Sequence, residues 1–303
     1  MYHRLLKASA LGRILLFLLL FSAAGASAKS KVAVVMSRLI PPYQKALSGF
    51  EKEFDCDTTV FDLQKKRDLE AVAKEIKSAR PDLVLAIGSN ALKLTKKYIK
   101  KTPVIFTMVL KPGRTPDNVC GVSMTLSAKT HLKGLRLIAP KVKSIGIVFN
   151  PKHSGNRVEL FKKASKGMGF KIVTVAANSK KEAFSAIKLL AGRVDSLWMV
   201  MDQDVVANFN LLQSLSIKEK VPLATFSYKY VEMGALLALA PKFEDLGKQA
   251  GQLAKQLLSG TSPKKLGVVS PTDFYYSINV NTALKIGVGV PPEVLKKEHK
   301  LYK

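Results

Sequence analysis

The chain has 303 residues, with 49 Lys and Arg against 22 Asp and Glu, and a formal net charge of +27 at pH 7. This length is enough for one large or two medium domains. The lysines are spread along the whole chain, often in pairs where helix exteriors are predicted, and they do not alternate with aromatic residues. The composition therefore favours solvated helix faces and argues against a nucleic-acid partner.

The first 28 residues have the pattern of a signal peptide. A basic start that ends at Arg13 precedes the apolar run 14–21, and small residues follow up to Ala26-Ser27-Ala28. The apolar run is shorter than the roughly 20 residues that a membrane-spanning helix needs. We therefore expect cleavage after Ala28, with an uncleaved anchor as the alternative. An exported, periplasmic protein would not be one of the enzymes that depend on intracellular nucleotides.

The next part of the chain alternates β-branched apolar runs with segments of helical period. The strand runs lack polar alternation, as is typical of buried parallel strands. Strands are predicted at 31–36, 58–61, 83–87 and 104–108, and helices at 41–54, 67–79 and 90–100. This β-α-β-α order predicts a parallel, doubly wound sheet.

After the Pro- and Gly-rich loop 112–118 the same order starts again. Strands are predicted at 119–124, 144–149, 171–175, 196–201, 221–225 and 235–240, and helices at 129–138, 156–168, 180–190, 203–219 and 243–258. Two short strands and a small helix at 282–285 close the chain. The fold class is therefore α/β, with two doubly wound parallel-sheet units, a restart near residue 120 and a further change near residue 241.

Two such units bring the carboxyl ends of their strands to a shared crevice, where ligands of these sheets bind. The residues that follow the predicted strands are therefore the candidate ligand contacts. They are Ser37, Tyr43, Ser89, Asn90, Met108 and Val109 in the first unit, and Asn150, Asp202, Phe226 and Ser227 in the second.

Each of these candidates also has a purely structural alternative. The turn at Ser89 and Asn90 could hold a ligand carboxylate at a helix amino end, or either residue could cap that helix. Asp202 could accept hydrogen bonds from a ligand ammonium group, or it could be a helix cap. Asn150 could be a turn residue, and the aromatic residues Tyr43 and Phe226 could belong to the core.

The sequence lacks the patterns that catalysis or a bound cofactor would require. It contains no nucleophile elbow, phosphate-binding glycine loop or zinc-protease motif. Asp202 and Asp204 have no partner base, and the four histidines share no metal-ligand spacing. Cys56 and Cys120 are interpreted as free or buried thiols. The sequence therefore predicts a binding protein with no catalytic residue, metal or cofactor.

Seven stretches, taken together and in this order, resemble one known family. They are residues 81–88 (PDLVLAIG), 102–109 (TPVIFTMV), 118–123 (NVCGVS), 144–151 (SIGIVFNP), 195–202 (DSLWMVMD), 234–239 (GALLAL) and 282–292 (TALKIGVGVPP). The chain resembles the periplasmic substrate-binding proteins of ABC importers in the tryptophan/phenylalanine-binding group, which have the type I periplasmic-binding fold. The resemblance covers essentially the whole chain after residue 28.

The resemblance implies two lobes joined by a three-segment hinge. One lobe would comprise residues 29–120 and 241–268, and the other residues 121–240 and 269–303, with crossings near Gly121, Pro241 and Val269. It also implies a monomer that closes over a small ligand, such as an aromatic or other apolar amino acid, and delivers it to an ABC permease in the inner membrane.

In this family the amino and carboxylate groups of the ligand meet strand-end polar residues, which here would be Ser89, Asn90, Asn150 and Asp202. Lys111 departs from the family, because related members often have an acidic residue there, and it points to a more anionic or larger ligand as an alternative. Two rival functions stay open at this stage. One is a sensory module for a membrane receptor, and the other is an exported α/β enzyme.

Overall fold

The computed structural model describes residues 29–65, 68–296 and 300–302. The predicted signal peptide and its cleavage site lie outside these described residues. Within them, every helix is too short or too polar to cross a bilayer.

The first part of the described chain alternates strands and helices as predicted. In chain order the elements are β1 (Ser30–Met36), α1 (Pro41–Glu53), β2 (Cys56–Asp62), α2 (Leu69–Ser78), β3 (Leu83–Ile87), α3 (Ser89–Tyr98), β4 (Val104–Val109) and β5 (Val119–Ser123). β3, β4 and β5 are buried along their whole length. This burial explains why their sequences are apolar without polar alternation.

The middle part repeats the alternation with shorter strands. Its elements are α4 (Ala128–Ile138), β6 (Ser144–Phe149), α5 (Pro151–Lys166), β7 (Lys171–Ala176), α6 (Lys180–Lys188), β8 (Leu197–Trp198), α7 (Gln203–Val206), α8 (Phe209–Lys218), β9 (Leu223–Thr225), α9 (Tyr228–Glu232) and β10 (Leu237–Pro241). The predicted strand 196–201 is reduced to β8, and the single helix predicted over 203–219 is two helices.

The last part contributes elements to both sheets. Its elements are α10 (Phe243–Leu258), α11 (Pro263–Leu266), β11 (Val268–Val269), β12 (Phe274–Asn279), α12 (Val280–Ile286), α13 (Pro292–Lys296) and β13 (Lys300–Tyr302).

The strands form two sheets. The first has the order β11-β5-β4-β3-β1-β2 with parallel pairing throughout, and the second has the order β13-β12-β10-β9-β8-β6-β7. In the second sheet β12 runs antiparallel to β10, and the other pairs are parallel. The predicted class of two doubly wound, parallel-dominated sheets is confirmed.

Each sheet is covered on both faces by apolar clusters. Val34 and Leu85 belong to one cluster of the first sheet, whereas their neighbours Val35 and Ala86 belong to the cluster on the opposite face. This separation follows from the two-residue period of a strand. Two further clusters flank the second sheet in the same way.

The chain passes between the sheets three times. It leaves the first sheet after Ser123, returns between β10 and α10, and leaves again between β11 and β12. The boundary predicted at residues 120 and 121 falls inside β5, because this strand stays paired with β4 as far as Val109↔Ser123. Pro241 and Val269, near which the other two crossings were predicted, are the last residues of β10 and β11. The division of the chain into two lobes at these positions stays a prediction.

α10 joins the first sheet by packing closely on α1. Gly247 makes this packing possible, since a Cβ atom there would lie 1.8 Å from the carbonyl oxygen of Ala46. This close packing therefore fixes the position at which the chain returns to the first sheet after β10.

Candidate ligand-binding site

A cavity of about 190 Å³ lies where the second sheet meets the crossings between the sheets. Its walls include Leu110, which follows β4, Leu126 of the first crossing, and Met201 and Phe226, which follow β8 and β9. The cavity is therefore at the carboxyl ends of the parallel strands, where ligands of doubly wound sheets bind.

Two larger surface cavities lie at the opposite edges of the sheets. One of about 470 Å³ contacts Val142, Asp195 and Pro222, which precede β6, β8 and β9. Another of about 540 Å³ contacts Pro81 and Thr102, which precede β3 and β4. Both lie at strand amino ends, so they lack the convergence of strand tips that makes a ligand site in this architecture.

Four predicted contacts gather at one turn of the first sheet. Ser37 is buried, and its Oγ accepts a hydrogen bond of 2.9 Å from the Ala91 N–H. Gly88 has φ +92°, and a Cβ atom there would lie 2.7 Å from both Ser37 Oγ and the Tyr43 hydroxyl. Ser89 and Asn90 are exposed in the first turn of α3, and Gly88 rather than either of them is the cap residue.

Met108 and Val109 form an irregular end to β4. Met108 has φ +60°, and the pairing of β4 with β5 shifts register between Phe106 and Val109. Such backbone strain is concentrated at functional sites. Both side chains are buried in the core clusters on opposite faces of the sheet, so they shape the turn that leads to Leu110.

Asn150 and Asp202 lie side by side at the start of α5. Asp202 Oδ2 accepts hydrogen bonds from the Asn150 N–H, at 2.8 Å, and from the Ser154 hydroxyl, while Oδ1 accepts one from the Asp204 N–H. Asn150 caps α5 and donates from Nδ2 to Asp204. Asp202 therefore has the helix-cap role that was its structural alternative, and Asn150 is a helix cap where a turn residue was the alternative. Ammonium binding by Asp202, which is 2% exposed, stays a prediction.

Phe226 and Ser227 are the two predicted contacts that line the cavity itself. Ser227 caps the short helix α9, and the Phe226 ring meets that of Tyr230 edge-on at 5.4 Å between centroids. The other eight predicted residues lie outside the cavity walls, seven of them at strand ends and Tyr43 in the first turn of α1. Tyr228, Phe243 and Tyr275 add further aromatic rings to the walls.

Among the cavity residues that were not predicted as ligand contacts, two carry basic side chains, namely His131 of α4 and Arg157 of α5. Burial, followed by the charge of Arg157, lowers the pKa of His131 to about 3. Burial also lowers the pKa of the half-buried Arg157 guanidinium. The available signal for Arg157 was its position on the helix that follows the β6 strand end, two turns beyond Asn150.

The known proteins that this chain resembles agree with this architecture. The family model for ABC transporter substrate binding protein matches residues 50–301. A tyrosine-binding protein of Clostridioides difficile (strain R20291) is 25% identical in an alignment of 277 residues. The alignment covers 84% of this chain and 80% of that protein.

Two solved structures share the fold. A ligand-free, open substrate-binding protein with adhesive properties from Clostridium difficile superposes with a TM-score of 0.70 at 23% identity, over 90% of this chain and 99% of that one. An ABC domain in complex with L-Trp from Streptococcus pneumoniae superposes with a TM-score of 0.51 at 23% identity, over 90% of this chain and 100% of that one. The predicted resemblance is confirmed, and the chain belongs to the family of ABC transporter substrate-binding proteins with the type I periplasmic-binding fold.

Proposed function

We propose that this chain is an extracytoplasmic solute-binding protein that captures a small ligand between its two lobes and delivers it to an ABC permease in the inner membrane. The observation that carries the proposal is the position of the cavity. It lies at the strand carboxyl ends and is bordered by Leu126 and Pro241 at two of the three crossings. Closure about the crossings would bury a ligand held there.

An aromatic or other apolar amino acid is the first ligand class to test. The cavity walls carry the rings of Phe226, Tyr228, Phe243 and Tyr275, which suit an apolar or aromatic body. The names of a tyrosine-binding relative and of a similar structure in complex with L-Trp also support an aromatic amino acid as the ligand.

The proposed cycle alternates between an open and a closed form. With lobe boundaries at the three crossings, α3 would belong to one lobe and most of the cavity residues to the other. Closure would bring the exposed side chains of Ser89 and Asn90 towards the ligand, at the positive end of the α3 dipole. The ligand shifts this equilibrium only by its higher affinity for the closed form.

Export and the monomeric state belong to the same proposal. We infer a periplasmic protein whose signal peptide is removed after Ala28. N-terminal sequencing of the protein from a periplasmic fraction should begin at Lys29, and light scattering should give the mass of one chain. A retained signal segment would instead support the membrane-anchored alternative.

Calorimetry on the mature protein tests the ligand directly, with amino acids, aromatic acids and sugars as the panel. We expect saturable binding of an aromatic or apolar compound at one site per chain, with the compound recovered unchanged. Binding of sugars alone would refute the proposed ligand class. Chemical conversion of the bound compound would favour the exported-enzyme alternative.

A further inference from the structure

Arg157 has no acidic partner for its charge in the part of the chain that the structure describes. Its guanidinium is half-buried against the cavity, yet no ion pair or hydrogen bond joins it to another described residue. Arginine keeps its charge in proteins and offers five donors in a planar fork. A half-buried fork of this kind is suited to bidentate pairing with a carboxylate.

A second unpartnered group lies in the same cavity wall. His131 is 5% exposed, and its Nδ1 atom lacks a hydrogen-bond partner among the described residues. Its ring packs against Trp198, with 4.8 Å between centroids, and against Phe161, which lies one helical turn after Arg157. A buried polar atom without a partner is uncommon and calls for an explanation, such as a ligand that reaches it.

The acidic side chains that follow the wall residue Met201 are already engaged. Asp202 accepts from Asn150, Ser154 and Asp204, and Asp204 accepts from the side-chain amide of Asn150. The cavity walls contain no Asp or Glu among the described residues. The fixed charge that the cavity offers a ligand is therefore the positive charge of Arg157.

We propose that Arg157 determines specificity by pairing with the carboxylate of the ligand, so that the site takes aromatic or apolar acids whose α-ammonium group is dispensable. This inference rests on the proposed function, since it assigns the ligand class of the same cavity. It also predicts that the carboxylate is recognised by the second lobe, in which α5 would lie, whereas the sequence pattern had offered the turn at Ser89 and Asn90 as a carboxylate site.

A ligand series tests the inference on the unaltered protein. L-phenylalanine, phenylpropionate and phenethylamine share one aromatic body and differ in which charged group is present. We expect the two carboxylates to bind with dissociation constants within about tenfold of each other, since the ammonium group has no free acidic partner. Phenethylamine should bind about 10- to 100-fold more weakly, the range of one lost hydrogen-bonded charge pair.

Substitutions in α5 test whether carboxylate recognition depends on Arg157. Arg157→Gln should weaken phenylpropionate binding about 10- to 100-fold, and Arg157→Lys should restore part of it, because lysine keeps the charge without the fork. Lys166→Gln is the matched control, since it removes one exposed positive charge from the same helix away from the cavity. Thermal unfolding of each variant reports whether it has folded.

The imidazole resonances of His131 provide a readout that is independent of affinity. A carboxylate paired with Arg157 offsets the charge that helps to lower the pKa of His131, so these resonances should move on addition of phenylpropionate. Those of the exposed His153 should stay unchanged.

The outcomes separate this inference from the proposed function. Equal binding of phenylpropionate by the wild-type protein and Arg157→Gln, or preferred binding of phenethylamine, would overturn the role of Arg157 and leave the function standing. Binding of none of these compounds, nor of any other in the calorimetric panel, would refute the proposed function, and the inference with it.

Discussion

Removing the carboxylate of Asp202 should mainly destabilise the protein. In Asp202→Ala the Asn150 N–H and the Ser154 hydroxyl, both buried, lose their acceptor, and α7 loses its cap. A hydrogen bond to a charged group contributes about 1.5–3 kcal/mol, and a lost N-cap costs about 1 kcal/mol. Because the three bonds share one acceptor and are not additive, we expect a total loss of about 3–5 kcal/mol.

Urea unfolding followed by circular dichroism measures this loss, with the midpoint and slope compared between variants. Asp204→Ala is a graded control, because the Asp204 carboxylate accepts one described hydrogen bond, from Asn150 Nδ2 at 2.8 Å. It should cost about 1.5 kcal/mol, the lower end of the range for a charged acceptor, because Asp204 is only half-buried. An Asp202→Ala protein of wild-type stability that no longer binds ligand would refute this reasoning and support the ammonium-binding role.

Three further predictions concern packing and ionisation. Gly247→Ala should cost about 2–3 kcal/mol in urea unfolding, since its Cβ meets backbone of α1, whereas Gly167→Ala, with open space around it, should be neutral; equal effects would contradict the packing argument. His131, with a pKa lowered to about 3, stays neutral in the folded state while the unfolded state protonates below its usual pKa near 6.5, so folding stability should fall with decreasing pH between these values. The excess slope over His131→Phe should reach about 1.4 kcal/mol per pH unit, and parallel curves would exclude a buried neutral imidazole. Burial raises the pKa of the Cys56 and Cys120 thiols to about 11 and about 12, so both should react slowly with a disulfide reagent at pH 8 and rapidly in urea; fast reaction of the native protein would contradict their environment.

A comparison of predicted and observed element boundaries shows which helices and strands the local sequence pattern can predict and which it cannot. β3 was predicted correctly at 83–87, because its apolar, β-branched residues are buried on both faces. α5 was predicted to begin near residue 156 but begins at Pro151. The stretch after Pro151 is polar and contains glycine. It is helical because Asn150 caps it and because the Ser154 hydroxyl donates a hydrogen bond to Asp202, which follows another strand.

Residue periodicity was enough to predict the alternation of strands and helices, and with it the parallel sheets and the edge at which the strand tips converge. Periodicity is a local property of the chain. Which strand-end groups are free to meet a ligand became visible only in the folded arrangement. Asp202 and Asn150 satisfy each other across 52 residues, whereas Arg157 and His131, on separate helices, share one cavity wall without partners among the described residues. Hydrogen-bond satisfaction depends on neighbours brought together by folding, and residue type and spacing do not reveal it.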